Sequence, residues 1–184
     1  HRDLHSFPTR RSSDLVGDEP FGVILPDDLI WNTGRGALGQ MAELSQAQGG
    51  AGVIAVEEVP RDETDKYGIV AATPVDERSA EIRHMVEKPK PADAPSNLAV
   101  VGRYVLPGRI FELLECTTPG AGGEIQLTDA IEALLKEQGK VLAYRFQGTR
   151  FDCGNKAGLV RATMHMAMQD PKLAAVVREF VATH

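Results

Sequence analysis

Three short stretches combine residue types suited to phosphate and sugar chemistry. Pro26-Asp27-Asp28 closes the apolar run Phe21–Leu25. In open α/β sheets ligands gather beyond the carboxyl ends of strands, and a carboxylate there can hold a divalent cation. The same three residues also suit a plain strand-ending turn. Phe151-Asp152-Cys153-Gly154 lies between the apolar run Val141–Phe146 and a helical pattern that starts at Lys156. Asp152 could be a second metal carboxylate, or an acid favoured by the dipole at a helix N-terminus. Val86-Glu87-Lys88-Pro89 ends another strand-like run. The Lys88 ammonium could neutralise a phosphate while Glu87 accepts hydrogen bonds from sugar hydroxyls, although an ion-paired sheet edge would use the same pair.

Weaker candidates surround these. Lys66-Tyr67-Gly68 opens a strand, where glycine permits close approach to a ligand or marks a bulge. Gly120-Ala121-Gly122-Gly123-Glu124 precedes a helix but lacks the G-x-x-x-x-G-K-S/T arrangement of a phosphate-cradling loop. Cys153 could be a thiol nucleophile, yet no histidine stands in a partnering pattern, so a structural role is expected. His84 and His165 lack metal-ligand spacing and read as structural.

The elements that must position these residues follow from the apolar periodicity. Phe21–Leu25 reads as a buried strand, Ala37–Leu44 as a helix with Leu38, Met41 and Leu44 on one face, and Ala51–Val56 as a second buried strand. Strand, helix and strand over this length predict a right-handed βαβ unit with parallel strands. Tyr67–Ala72, Ala80–Val86 and Leu98–Leu106 are strand-like without long helices between them, which predicts antiparallel or mixed pairing. Pro89, Pro91 and Pro95 place Lys88–Asn97 in a loop. Helices are predicted over Arg109–Glu115 and Leu127–Gln138, the latter burying Ile131, Leu134 and Leu135. A strand over Val141–Phe146 and helices over Lys156–Met168 and Lys172–Thr183 complete an α/β fold with a mixed sheet.

The 184 residues suffice for one domain with its own core. Apolar residues at 42% and charged residues at 25% argue against general disorder. A net charge of −6 disfavours nucleic acid and anionic membranes as partners, and no apolar stretch is long enough to span a bilayer. Two isolated cysteines, Cys116 and Cys153, exclude a disulfide scaffold and fit a reducing cytoplasm. His1–Leu15 carries Arg2, Arg10 and Arg11 without periodicity or an apolar core. It is expected to be a leader foreign to the domain or a disordered basic terminus, and the domain to occupy residues 16–184.

Taken in order, V-G-D-E-P-F-G-V-I-L-P-D-D-L-I (Val16–Ile30), I-A-V-E-E-V-P (Ile54–Pro60), K-Y-G-I-V (Lys66–Val70), V-E-K-P (Val86–Pro89), S-N-L-A-V-V-G-R-Y-V-L (Ser96–Leu106), G-G-E-I-Q-L-T-D-A-I (Gly122–Ile131) and D-C-G-N-K-A-G (Asp152–Gly158) form a specific set. The set strongly resembles the bacterial UTP–glucose-1-phosphate uridylyltransferases, or UDP-glucose pyrophosphorylases, from Val16 to about Met168. The resemblance implies a Rossmann-like sugar-nucleotidyltransferase fold with a mixed sheet. It implies that Asp27 and Asp152 hold Mg²⁺, that Lys88 contacts the sugar phosphate, and that Glu87 and the Gly68 backbone hold glucose. Asp28 and Glu124 would have supporting roles. The implied reaction is in-line attack of glucose 1-phosphate on the α-phosphorus of UTP, giving UDP-glucose and pyrophosphate, by a cytoplasmic homo-oligomer.

Two features of that family have no counterpart here. The G-x-G-T-R loop with its later lysine and the uracil-contacting glutamine–glycine segment are absent from this sequence. The chain is therefore expected to correspond to an N-terminally truncated, C-terminal part of the fold, impaired or inactive alone. Because the base-reading segment is missing, a thymidylyl- or adenylyltransferase remains a competing expectation. So does a non-catalytic sugar-phosphate-binding or assembly module built on the apolar C-terminal helices.

Overall fold

The structure is a computed structural model that describes residues 16–118, 125–137 and 139–183. Strands β1 (Phe21–Ile24), β3 (Gly52–Glu58), β4 (Gly68–Pro74), β5 (Ser79–Glu87), β6 (Leu98–Leu106) and β7 (Val141–Tyr144) form one sheet in the order β1-β6-β3-β7-β5-β4. Strands β2 (Asp28–Trp31) and β8 (Thr149–Asp152) form a separate two-stranded ribbon. The helices are α1 (Ala37–Ala47), α2 (Ile110–Cys116), α3 (Leu127–Lys136), α4 (Lys156–Gln169) and α5 (Pro171–Thr183). The mixed α/β class predicted from the sequence is the observed one.

β6 organises the sheet. Apart from Gly102 and the buried Arg103 its nine residues carry apolar or aromatic side chains on both faces, and all but the first are buried, so it needs a neighbour on each edge and cover on each side. It pairs antiparallel with both β1 and β3. The predicted βαβ unit is corrected here: β1 and β3 do run in the same direction, but β6 lies antiparallel between them. The parallel pairing among the described residues is instead β3 with β7, in the register Gly52↔Val141 to Ala55↔Tyr144. β4 and β5 form an antiparallel hairpin that ends with Gly68 opposite Glu87.

Alternation along the strands divides the core into two layers. Ile54, Val56, Val100, Tyr104 and Leu106 face α2 and α3, where Ile110, Phe111, Leu114, Ile131 and Leu134 are buried. Val53, Ala55, Val101 and Val105 face the opposite way, onto Met41 of α1. Leu38 and Leu44 flank Met41 as the spacing predicts, and both are partly buried. Leu135 of α3 is only half-buried, while Ala130 takes a core position. Glycines end α1: Gly49 and Gly50 adopt φ of 69° and 84°, and the Gly50 N–H donates to the Ser45 carbonyl at 2.8 Å.

The ribbon has no counterpart among the elements that the apolar periodicity predicts. Residues 26 and 27 form the turn, but Asp28 already begins β2, and Thr149–Asp152 pairs with it. A four-residue strand carries too little periodicity to be recognised, and each needs the other to exist. β7 ends at Tyr144 rather than Phe146, because its pairing with β3 and β5 stops at Ala55 and Ser79. Helices α4 and α5 pack on each other and α4 also packs against β8, with only Ala162 and Ala174 buried in the two helices. Leu159, Val160, Met164, Leu173, Val176 and Phe180 remain exposed, so they are not core. No described helix is long and apolar enough to cross a membrane.

Candidate functional site

One cavity of about 520 Å³ opens where β1, the ribbon, the β4–β5 hairpin, β6 and the start of α3 meet. Asp27, Gly68, Glu87, Lys88 and Asp152, the five residues singled out in the sequence, all line it.

The acidic end is built by the ribbon. Antiparallel register sets Asp28 opposite Asp152, and the Cys153 N–H donates to the Asp27 carbonyl at 2.6 Å. Gly154 shows how near the two carboxylates come. A Cβ placed there would lie 3.1 Å from Asp152 Oδ1 and 3.4 Å from Asp27 Oδ2. The Asp152 carboxylate is oriented by the Gly154 N–H at 3.0 Å and by Asn155 Nδ2 at 2.9 Å. Asn155 also caps α4, accepting the Gly158 N–H at 2.8 Å. Each Asp152 oxygen keeps a further lone pair for a cation.

Two carboxylates at one mouth of a cavity in the size range of small-molecule sites suit a hard divalent ion. Mg²⁺ in particular takes one or two protein carboxylates and fills its remaining positions with water and substrate phosphate oxygens. Among the described residues no group of three or more His, Cys, Asp or Glu side chains gathers to form a closed metal cage. Asp28 lines the same cavity but its carboxylate is held by the protein. It is buried, with Oδ2 accepting the Gly102 N–H at 2.8 Å and Oδ1 accepting Arg150 Nε at 2.5 Å.

The other end is the hairpin. Gly68 and Glu87 are cross-strand partners, and a Cβ on Gly68 would meet Glu87 Oε2 at 3.2 Å. Lys88 follows with φ of 44°, the one non-glycine residue at positive φ among those described. Its N–H donates to the Tyr67 carbonyl at 3.0 Å, which holds this left-handed turn against the adjoining chain. The Lys88 ammonium is largely exposed and stands 3.9 Å from Glu87 Oε1. A cation is thereby held beside a carboxylate at the cavity rim.

Sequence reasoning passed over three further lining groups. Tyr104 reaches the cavity from β6; burial, and then the charges of Glu87, Asp28 and Asp27, push its phenol well above the usual range, so it stays a neutral donor. Arg150 is pulled down by burial, but hydrogen bonds and charge from Asp28 and Glu57 outweigh this and keep it cationic. Thr128 brings a buried hydroxyl with no hydrogen-bond partner among the described residues to the same wall. Each sits in an apolar or mixed stretch whose spacing signals no chemistry.

The remaining candidates fall elsewhere. Gly120–Glu124 lies outside the described residues. His84 pairs with Glu132 at 3.1 Å, and His165 packs edge-on against Trp31 with ring centroids 4.7 Å apart. Cys153 directs Sγ to the Phe151 carbonyl at 3.6 Å, and Cys116 is an exposed thiol at the end of α2.

A family model described as nucleotidyl transferase matches residues 8–169. The chain belongs to the nucleotidyl transferase family. The match begins within the segment expected to be a leader, whose structure lies outside the described residues. Among members of this family, the chain is similar to UTP–glucose-1-phosphate uridylyltransferase of Pseudomonas aeruginosa PAO1. They share 50% identity over 150 residues, which is 81% of this chain and 53% of that protein. A crystal structure of UDP-glucose pyrophosphorylase complexed with UDP-glucose superposes with a TM-score of 0.80 at 42% identity, covering 86% of this chain and 60% of that one. The UTP-bound enzyme from Acinetobacter baumannii gives 0.79 at 42% identity, covering 93% and 59%. The chain thus spans about half the length of the curated relatives it matches.

Proposed function

We propose that this chain supplies the sugar-phosphate and metal side of a UTP–glucose-1-phosphate uridylyltransferase, which makes UDP-glucose and pyrophosphate from UTP and glucose 1-phosphate. The observation that carries this reading is the convergence of Asp27 and Asp152 on the point above Gly154, in a cavity that Glu87 and Lys88 also line. The names of the similar proteins, one bound to UDP-glucose and one to UTP, support the same substrates.

In this reading Gly68 leaves its N–H and its open face to the sugar, and Glu87 accepts from the glucose hydroxyls. Lys88 places its ammonium against the phosphate of glucose 1-phosphate. Two polyanions must meet for the phosphoryl oxygen of one to attack the α-phosphorus of the other, so the barrier is largely electrostatic. Loss of one fixed donor or charge at such a centre typically costs about 100- to 1,000-fold in rate. Mg²⁺ held by Asp27 and Asp152 would add positive charge between the nucleotide and sugar phosphates. No covalent nucleophile is needed, which leaves Cys153 without a chemical role. The two free thiols support a cytoplasmic setting, and the exposed apolar side chains of α4 and α5 support assembly into homo-oligomers.

Calorimetric titration of the chain with glucose 1-phosphate and with UDP-glucose, in Mg²⁺ and then in EDTA, tests the reading. Binding that requires the metal and is lost in Lys88→Ala is the expected result. Metal-independent binding, or none by the native chain, would overturn it. Competition by thymidine or adenosine nucleotides against UDP-glucose in the intact parent enzyme, which carries the base-reading segment, separates uridylyl transfer from its thymidylyl and adenylyl alternatives.

A further inference from the structure

We propose that Arg150 is the positioning residue that sets the acidic end of the cavity against the sugar-holding end, by joining the β2–β8 ribbon, β3 and Tyr67 at the start of β4 through one guanidinium. The roles of those two ends rest on the function proposed above. Arg150 lies on β8, two residues before Asp152. Its Nε donates to Asp28 Oδ1 at 2.5 Å, next in sequence to Asp27, and its terminal nitrogen donates to Glu57 Oε1 on β3 at 2.5 Å. Its Cζ stands 5.4 Å from the centre of the Tyr67 ring, and Tyr67 is the residue that precedes Gly68 and accepts from the Lys88 N–H. A single side chain is therefore one residue removed from three of the five candidate site residues.

A link of this kind is needed. A two-stranded ribbon of four-residue strands is marginal by itself, so its orientation depends on ties to the main sheet. Asp28 ties the ribbon to β6 twice, its Oδ2 accepting the Gly102 N–H and its carbonyl accepting from the Arg103 guanidinium, and Arg150 supplies the tie to Glu57 of β3. The Arg150 and Asp28 side chains are each only 10% exposed. At that depth an ion pair is a poor source of net stability compared with apolar packing, whereas its geometry is closely held. Only arginine fits: its planar fork bonds two carboxylates in different directions while one face meets an aromatic ring, and a lysine ammonium cannot do all three.

Arg150→Lys and Glu57→Gln test the proposal, with Mn²⁺ alone and glucose 1-phosphate as probes and amide hydrogen exchange as a ligand-free readout. Glu57 does not line the cavity, so direct contact with a ligand cannot explain an effect there. Both variants should weaken Mn²⁺ and glucose 1-phosphate binding together by tenfold or more. Both should also speed exchange at the Cys153 and Lys88 amides by tenfold or more, while core amides such as Val53 keep native protection. If Arg150→Lys does not fold, Glu57→Gln carries the test alone. Native exchange at Cys153 and Lys88 in folded Glu57→Gln overturns the proposal. A native chain that binds neither probe overturns the proposed function instead, and the exchange rates then still decide the positioning role.

Discussion

Asp28 faces Asp152 across the β2–β8 ribbon, and this pairing brings Asp27 alongside Asp152 although most of the domain separates them in the chain. The cross-strand neighbour itself is spent on Arg150 and Gly102, so it is the preceding residue, at the turn, that turns its carboxylate to the cavity. Consecutive aspartates in Pro26-Asp27-Asp28 thereby do different work.

Asp27→Asn and Asp152→Asn should each weaken Mn²⁺ binding by at least about 10- to 100-fold, the range found even for groups that only support metal ligands. Cys153→Ser should stay within about twofold of native, a difference worth under 1 kcal/mol. Electron paramagnetic resonance of free Mn²⁺ measures all three. Native affinity in either asparagine variant would show that the metal, if bound, sits elsewhere.

Gly68→Ala should separate sugar binding from folding. The added methyl meets Glu87 Oε2 at 3.2 Å and Met85 Cε at 3.3 Å, both ends of side chains that can give way. A stability loss below about 1.5 kcal/mol is expected, at the mild end of overpacking. Glucose 1-phosphate affinity should fall roughly tenfold, or 1.4 kcal/mol, because the methyl enters the space the sugar would take. Urea unfolding and calorimetry on the same sample check the two halves; unchanged Mn²⁺ affinity is part of the expectation.

Lys88 offers a case in which stability and binding move in opposite directions. Its φ of 44° is a conformation that costs a side-chain-bearing residue on the order of 1–3 kcal/mol. Lys88→Gly should therefore raise stability by about 1 kcal/mol, and Lys88→Val should lower it by a similar amount, β-branching being least tolerated there. Both remove the ammonium and should lose phosphate-dependent binding alike. Equal stabilities for the two variants would mean that the left-handed turn is relaxed in solution.

Tyr104 predicts an alkaline limit. Burial, followed by the charges of Glu87, Asp28 and Asp27, raises its phenol above the ordinary 10.0. The unfolded chain then loses this proton first, so the contribution is intact at neutral pH and declines as pH rises beyond about 10. The decline approaches at most about 1.4 kcal/mol per pH unit. Tyr104→Phe should flatten the fall in unfolding free energy above pH 10 relative to native. Parallel alkaline slopes for the two proteins would refute the assignment.

Much of this was legible in the chain. Long strands such as Leu98–Leu106 announced themselves because apolar character on both faces demands burial, and Lys88–Asn97 was plainly a loop because three prolines cannot donate to a ladder. What escaped was short or indirect. β2 and β8 have four residues each and no independent stability, and Arg150 and Tyr104 matter through partners far away in sequence.

The residue types and their local spacing determined which groups could do chemistry, because a carboxylate, an ammonium or a bare glycine carries its properties wherever it lies. Tertiary structure alone decided which of them meet. Insertion of β6 between β1 and β3, and the ribbon register that follows, set the distances among Asp27, Asp152, Glu87 and Lys88. Those distances arise from pairing between segments remote along the chain, and so from the packing of the whole fold rather than from any stretch of its sequence.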